Sequence, residues 1–233
     1  MPAPSTTRTA VILLAAGEGR RVGAETNKVL LPLAGQPVFT WSLRAIAAMS
    51  STARVVVVIR EEDRAPVERA IATYFPGLDA TVVVGGQTRH ASEGNALMVL
   101  AAAIEADEID VVAIHDAARP LAGTDLFDAV VRQAAEHGGA LPVRDQPALV
   151  PHEVGPPRNG SLVCVQTPQA FRARPLLEAY RESERDGFVG TDTASCIEHY
   201  TDLEIRCVPG PATNLKITFP DDVALAKELL RSS

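Results

Sequence analysis

The chain has 233 residues, of which 46% are hydrophobic and 22% charged, a composition typical of a globular protein with its own core. Its formal net charge of −7 argues against binding to nucleic acid or to an anionic membrane surface, so an anionic ligand requires a local basic cluster. The three cysteines form no C-x-x-C pair, no apolar run is long enough to cross a membrane, and the first residues do not resemble a signal peptide. We therefore expect a cytoplasmic protein.

Short runs rich in valine and isoleucine alternate with segments of helical periodicity in the first half of the chain. Continuously apolar runs predict buried strands at 9–16, 54–60, 80–85 and 110–115. Helices are predicted at 38–49, 64–74, 91–106 and 123–137, the last with Thr124-Asp125 as its cap. This order predicts an α/β fold with a Rossmann-like, mostly parallel sheet and helices on both faces. Because ligands of such sheets bind at the carboxyl ends of the strands, we expect function in the loops after Ala15, Val84 and Ile114.

Residues 142–163 interrupt this alternation with five prolines and two glycines. That composition argues against a helix or a central strand, and we interpret the segment as a projecting arm within a single domain of residues 1–233. Beyond the arm, helices are predicted at 174–185, from Thr191-Asp192 and from Asp221. Strands are predicted at 203–208 and near 214–217.

The stretch from Leu13 to Lys28 carries the strongest functional signal. Its small residues and glycines let backbone amides approach an anion closely, and Arg20, Arg21 and Lys28 add three cations within nine residues. The combination indicates a polyphosphate site. The spacing of a Walker A loop is absent, and the dinucleotide fingerprint G-x-G-x-x-G fails at Val22, which disfavours a dinucleotide oxidoreductase.

This stretch resembles the signature of the 2-C-methyl-D-erythritol 4-phosphate cytidylyltransferase family, which reads A-A-G-x-G-x-R followed by a lysine. The family belongs to the nucleotidyltransferases with the pyrophosphorylase-type α/β fold. Its other motifs recur in order and span nearly the whole chain: Gly85-Gly86-Gln87-Thr88-Arg89 with Ser92, His115-Asp116-Ala117-Ala118-Arg119-Pro120, Thr167-Pro168-Gln169, Thr191-Asp192-Thr193-Ala194-Ser195 and Asn214-Leu215-Lys216-Ile217-Thr218.

The resemblance implies a reaction of isoprenoid precursor synthesis, in which a polyol phosphate oxygen attacks the α-phosphate of CTP and pyrophosphate leaves. It implies Arg21 and Lys28 as catalytic residues and Mg²⁺ as cofactor, with Asp116 as a metal ligand. The acceptor phosphate is expected to contact Lys216, Arg158 and Arg119. The implied nucleotide-binding residues are Ala15, Ala16, Gly17, Gly19, Gly86, Arg89, Ser92, Asp116 and Ala117. We interpret His115 as structural, because this reaction requires no proton abstraction from a phosphate.

The arm departs from the family pattern. Members carry D-T-x-K near its start and form a homodimer by exchanging the arm, whereas this chain reads Asp145-Gln146-Pro147-Ala148. A homodimer is expected here too. Two alternatives stay open: a cytidylyltransferase for another polyol phosphate such as ribitol 5-phosphate, and a catalytically weakened nucleotide-binding protein. The first is disfavoured by Ala117, since that branch carries serine there.

Overall fold

Strands and helices alternate through the computed structural model, which describes residues 7–17, 27–145 and 163–231. Its strands are β1 Thr9–Leu14, β2 Pro32–Leu33, β3 Gln36–Pro37, β4 Thr52–Ile59, β5 Ala80–Val84, β6 Val111–Asp116, β7 Gly138–Asp145, β8 Val163–Val165, β9 Gln169–Arg172 and β10 Glu204–Pro209. Its α-helices are α1 Val38–Ala48, α2 Arg64–Tyr74, α3 Arg89–Glu105, α4 Thr124–His137, α5 Ala173–Asp186, α6 Thr193–Tyr200 and α7 Pro220–Arg231. Short 3₁₀ helices span Lys28–Leu30 and Glu61–Asp63. Within these ranges, no helix has both the length and the apolar character to span a bilayer.

Eight of the strands form one sheet in the order β10-β7-β9-β6-β1-β4-β5, with β8 paired to β7. Pairing is parallel between β1 and both β4 and β6, between β4 and β5, and between β7 and β10. It is antiparallel where β9 lies between β6 and β7, and where β8 meets β7. The predicted α/β fold with a mostly parallel sheet is confirmed.

Both faces of the central strands are buried, which explains their continuous apolar sequences. Val11 and Leu13 of β1 belong to the core that includes residues of α1, α2 and α4. Ala10 and Ile12, which alternate with them, belong to the core that includes residues of α3, α5 and α6. The helices therefore cover both faces of the sheet. The carboxyl ends of its strands are not covered in this way, and a ligand site can form there.

The prediction that residues from 142 onward avoid a central strand is wrong at its start. Pro142 lies inside β7, between β10 on one side and β9 and β8 on the other. Its carbonyl accepts from the amide of Gln166 at 2.8 Å, and Gln166 lies between β8 and β9. In a strand, the nitrogen and the carbonyl of one residue point to the same side, so the nitrogen of Pro142 also faces the gap between these two strands. Proline has no backbone N–H to donate to a neighbouring strand. It is tolerated here because the hydrogen-bond ladder on this side of β7 is interrupted between β8 and β9.

Two smaller expectations are also wrong. Residues 214–217 form no strand, because Asn214 is held by side-chain bonds to Gln166 and Thr167 and the amide of Ile217 donates to the carbonyl of Ala118 at 2.8 Å. Helix α4 begins after Gly123, with no side-chain cap. The hydroxyl of Thr124 donates instead to the carbonyl of Ala45 on α1.

Candidate functional site

A cavity of about 570 Å³ lies at the carboxyl edge of the sheet, where the loops after β1, β4, β5 and β6 converge. Its lining residues are Leu14, Ala16, Gly17, Lys28, Val29, Arg60, Gly86, Gln87, Thr88, Arg89, Ser92, Asp116, Ala118, Lys216 and Thr218. The three loops that the sequence indicated all contribute to it. The loop after β4, which carries Arg60, was not predicted to take part.

The cavity is strongly basic although the whole chain is acidic. Among the described lining residues, Lys28, Arg60, Arg89 and Lys216 are basic and Asp116 is acidic. Helix α3 begins at the same place, and its N-cap Thr88 accepts from the amide of Ala91. A helix N-terminus favours a nearby anion. This is the local basic cluster that an anionic ligand of an acidic protein requires.

Asp116 stands at the centre of these cations, at the end of β6. Its Oδ2 lies 2.7 Å from Nζ of Lys216, and its Oδ1 lies 3.4 Å from Nη2 of Arg89. Burial of the carboxyl opposes its ionisation, but the charges of Lys216 and Arg89 outweigh burial and hold the pKa of Asp116 well below its usual range. Asp116 is therefore a permanent anion that fixes two cations at the cavity wall.

A chain of hydrogen bonds beneath the cavity holds Asp116 in place. The amide of Asp116 donates to the hydroxyl of Thr167 at 3.0 Å, and that oxygen lies 3.1 Å from Nδ1 of His115. Nε2 of His115 lies 3.1 Å from the carbonyl of Arg119, which can only accept, so Nε2 carries the proton. Burial lowers the pKa of His115 to about 4. Both ring nitrogens are thus occupied in the neutral form, in agreement with a structural histidine.

Lys28 reaches the cavity from the start of the 3₁₀ helix Lys28–Leu30. Its Nζ donates to the carbonyl of Ile217 at 2.8 Å, next to Lys216. The preceding Asn27 is buried, and its amide nitrogen donates to the carbonyl of Ala15 at 2.9 Å and to Asp63 at 2.8 Å. Asn27 thus ties the start of the 3₁₀ helix to the end of β1, which places Lys28.

The turn after β5 packs too closely for side chains at its glycines. A Cβ on Gly86 would lie 2.5 Å from Cβ of Ala91. The hydroxyl of Ser92 accepts from the amide of Gly86 at 3.0 Å and donates to the carbonyl of Thr88 at 2.9 Å. Ser92 therefore holds the turn in shape, and Gly86 brings its backbone to the cavity.

The sequence of the chain is similar to that of a known protein family. The family model described as IspD: 2-C-methyl-D-erythritol 4-phosphate cytidylyltransferase matches residues 9–232. The chain belongs to this family. Proteins named 2-C-methyl-D-erythritol 4-phosphate cytidylyltransferase include one from Solibacter usitatus, 38% identical with 96% of each chain covered. Another, from Bacillus pumilus, is 35% identical, with 94% of this chain and 96% of the relative covered.

Solved structures agree with the family. The 2-C-methyl-D-erythritol 4-phosphate cytidylyltransferase from Thermus thermophilus superposes with a TM-score of 0.74 at 29% identity, covering 97% of this chain and all of that one. The 4-diphosphocytidyl-2C-methyl-D-erythritol synthase from Anaerococcus prevotii superposes with a TM-score of 0.81 and covers 97% of each chain. At 22% identity, the second comparison supports the fold alone. The predicted family and fold are confirmed.

The structure places most of the residues that the cytidylyltransferase resemblance singled out around one cavity. Those that line it are Ala16, Gly17, Lys28, Gly86, Arg89, Ser92, Asp116 and Lys216. Gly19, Arg21 and Arg158 lie outside the described residues.

Ala15, Ala117 and Arg119 do not line the cavity. Ala15 and Ala117 are buried in the core, and the amide of Ala117 donates to the carbonyl of Leu14 across the sheet. Nη1 of Arg119 donates to the carbonyl of Asn214 at 2.9 Å, so its guanidinium supports the segment that carries Lys216. These three residues therefore do not line the cavity, and their predicted contacts with the ligand stay predictions.

Sequence reasoning missed two charged residues near the cavity. Arg60 follows β4 at the same sheet edge, and the rule for parallel sheets would have found it had that loop been considered. Glu93 lies one helical turn after Arg89, and this spacing of opposite charges was its signal.

The described residues offer little to a metal ion beyond Asp116. No group of three or more His, Cys, Asp or Glu side chains lies together in the described ranges. Mg²⁺ in nucleotide enzymes is often held by one or two carboxylates together with the substrate phosphates. A single buried carboxylate at the cavity, that of Asp116, is compatible with that mode.

Proposed function

We propose that the chain transfers the cytidylyl group of CTP to 2-C-methyl-D-erythritol 4-phosphate, giving 4-diphosphocytidyl-2-C-methyl-D-erythritol and pyrophosphate in isoprenoid precursor synthesis. The observation that carries the proposal is the cavity at the carboxyl edge of the sheet, where family residues from four loops gather. Its basic side chains suit two phosphate-bearing substrates, and membership of the family supplies their identity.

In this reaction an oxygen of the acceptor phosphate attacks the α-phosphorus of CTP and forms a new P–O bond. The bond from that phosphorus to the bridging oxygen breaks, and pyrophosphate leaves with the electron pair. The attacking phosphate is already an anion, so no side chain has to take a proton. The protein must instead bring two anions together and stabilise the negative charge that builds up in the transition state.

Lys28 and Arg21 are proposed to supply that stabilisation. Lys28 suits the role because its ammonium group is held at the cavity by the carbonyl of Ile217. A cation placed in advance needs little reorganisation when charge develops, and losing one such group typically lowers the rate about 10²- to 10³-fold.

The nucleotide is proposed to lie between the first loop and the start of α3. Ala16, Gly17 and Gly19 would present backbone to the phosphates, while Gly86 and Arg89 would contact the cytidine. Both loops reach the cavity, and Ser92 fixes the second one. The acceptor phosphate is proposed to bind Lys216, with Arg158 contributing from the arm. Arg119 would act by supporting the segment that carries Lys216.

We propose Mg²⁺ as the cofactor, bound with the phosphates of CTP and held to the protein by Asp116. When bound, the ion would neutralise part of the phosphate charge. Asp116 suits the role because its carboxyl stays ionised under ordinary conditions.

We also propose a cytoplasmic homodimer. The dimer is supported by the family resemblance, which implies that the arm of residues 142–163 exchanges between subunits. The location is supported by the cysteines: all three lie in the described part of the chain, and no disulfide joins them there. Sedimentation of the full chain tests the dimer, and a monomer at working concentration would contradict it.

The function is tested by measuring pyrophosphate release from CTP by the full chain. Release is expected only when CTP, Mg²⁺ and 2-C-methyl-D-erythritol 4-phosphate are all present. Ribitol 5-phosphate serves as the competing acceptor, and faster turnover with it would replace the proposed substrate. CTP binding without turnover on any acceptor would instead support a catalytically weakened nucleotide-binding protein.

A further inference from the structure

Glu93 is a fully buried carboxylate that the proposed reaction does not use. It lies on α3 one turn after Arg89, and it is 0% exposed. The next residues on the buried side of α3 are Ala96 and Leu97, which pack in the core. A carboxylate in such surroundings is unfavourable unless donors surround it. Its presence there calls for a role.

Donors from three helices surround the Glu93 carboxylate. Oε1 accepts from Nη1 of Arg89 on α3 and, at 2.7 Å, from the hydroxyl of Thr193 on α6. Oε2 accepts from the hydroxyl of Tyr180 on α5. Burial raises the pKa of Glu93, while Arg89 and the two hydroxyls act against that rise. Both carboxylate oxygens are engaged, so the side chain is fixed at a point where α3, α5 and α6 meet.

Arg89 connects this buried cluster to the cavity. Its Nη1 faces Glu93, and its Nη2 lies 3.4 Å from Oδ1 of Asp116. The Arg89 side chain is 27% exposed and lines the cavity. One guanidinium thus spans from a carboxylate in the core to a carboxylate at the cavity wall. Among the described residues, Arg89 forms ion pairs with Glu93 and Asp116, so loss of Glu93 would leave only the pair at the cavity wall.

We propose that Glu93 is a positioning residue, which fixes the guanidinium of Arg89 at the nucleotide-binding turn and is itself held by Tyr180 and Thr193. This inference rests on the proposed function, since it takes Arg89 as a contact of the nucleotide. Glu93 touches no substrate. It acts by restricting Arg89 to the conformation that faces the cavity, so that binding CTP does not have to order this side chain.

The test compares Glu93→Gln with the unaltered chain in steady-state kinetics and in calorimetric binding of CTP without acceptor. Glutamine keeps the size and an acceptor oxygen but removes the charge that holds Arg89. We expect the KM and Kd for CTP to rise about tenfold while kcat and the KM for the acceptor change less than about twofold, the pattern of lost uniform binding. Glu105→Gln is the matched control, because Glu105 is an exposed residue of the same helix whose partner is Arg181.

A double-mutant cycle separates positioning from general stability. If Glu93 acts through Arg89, the variant with Arg89→Ala and Glu93→Gln binds CTP no more weakly than Arg89→Ala alone. Additive effects, or an unchanged KM for CTP in Glu93→Gln, would overturn the inference.

Tyr180→Phe is the milder variant should Glu93→Gln not fold. It keeps the ring that stacks on His90 at 4.6 Å and removes only the hydroxyl. It should raise the KM for CTP about threefold, less than Glu93→Gln does, because Glu93 loses only one of its three hydrogen-bond donors. Failure of the unaltered chain to bind CTP would refute the proposed function instead.

Discussion

Mild acid is expected to destabilise the fold through His115. Burial lowers the pKa of this imidazole from 6.5 to about 4, so the unfolded chain takes up a proton at this position before the folded chain does. The stability that neutral His115 contributes is complete above the unfolded pKa and is lost as the pH falls from there toward the folded pKa. Integrated over that interval, the loss is about 2 kcal/mol between pH 7 and pH 5 and about 3 kcal/mol by pH 4.

The hydrogen bonds around His115 explain why the folded state resists the proton. Nε2 already donates to the carbonyl of Arg119, and Nδ1 is the acceptor for the hydroxyl of Thr167. A proton on Nδ1 would make this nitrogen a donor that faces the donating hydroxyl of Thr167. The hydrogen bond between them would be lost, and the hydroxyl would have to turn to another acceptor. The same hydroxyl accepts from the amide of Asp116, so protonation would disturb the backbone of the site.

Urea unfolding at pH 7 and pH 5 measures the effect, with His115→Gln as the variant that cannot titrate. The unaltered chain should lose about 2 kcal/mol more unfolding free energy than His115→Gln between the two pH values. His90, whose pKa is also lowered by burial, is present in both proteins and cancels in the comparison. Two proteins with parallel pH dependence would show that His115 does not titrate as its burial requires.

Three further predictions concern catalysis and packing. Lys28→Ala should lower kcat about 10²-fold while weakening calorimetric CTP binding far less; an unchanged kcat would remove its proposed role. Asp116→Asn, which releases Lys216 from its 2.7 Å ion pair, should lower kcat/KM in the pyrophosphate assay at least tenfold, or about 1.4 kcal/mol, and activity within twofold of normal would contradict the central place of this carboxylate. Gly139→Ala should cost about 1–3 kcal/mol in urea unfolding. Its Cβ would lie 2.6 Å from the Phe171 ring. Gly94→Ala is the control that should not destabilise the fold, because its Cβ would lie in ordinary contact, 3.8 Å from Tyr180, and alanine is favoured over glycine inside a helix.

The sheet could be predicted from the sequence wherever a strand is buried on both faces. The run that became β4 is almost entirely valine and isoleucine between Arg54 and Arg60, and the observed strand differs from the predicted one only at its ends. Strands β8 and β9 were not predicted, because three or four residues show no usable periodicity. Pro142 misled for a different reason: the rule against proline in central strands depends on the neighbouring ladder, which the sequence does not reveal.

The candidate site could be predicted where a residue type has a direct chemical reason. Lys28 and Lys216 are two of three lysines in the chain, and both line the cavity. The sequence did not show which motif residues line the cavity. Arg119 stands between two motif alanines and a proline, yet its guanidinium donates to the carbonyl of Asn214 and does not line the cavity. Neighbouring residues in a motif share a loop, but the orientation of each depends on contacts made by distant segments.

The central ion pairs of the site carry both a cost and a benefit. Asp116 adds a negative charge where a polyphosphate is to bind, which lowers the attraction of the cavity for CTP. In return, it holds Lys216, 100 residues later in the chain, and Arg89 in fixed positions before any ligand arrives. For a reaction whose main demand is stabilising charge at one phosphorus, fixed cations are worth more than additional loose ones, because they need not reorganise in the transition state. The buried Glu93 does the same for Arg89 from the core side, because it accepts a hydrogen bond from the guanidinium and limits its movement.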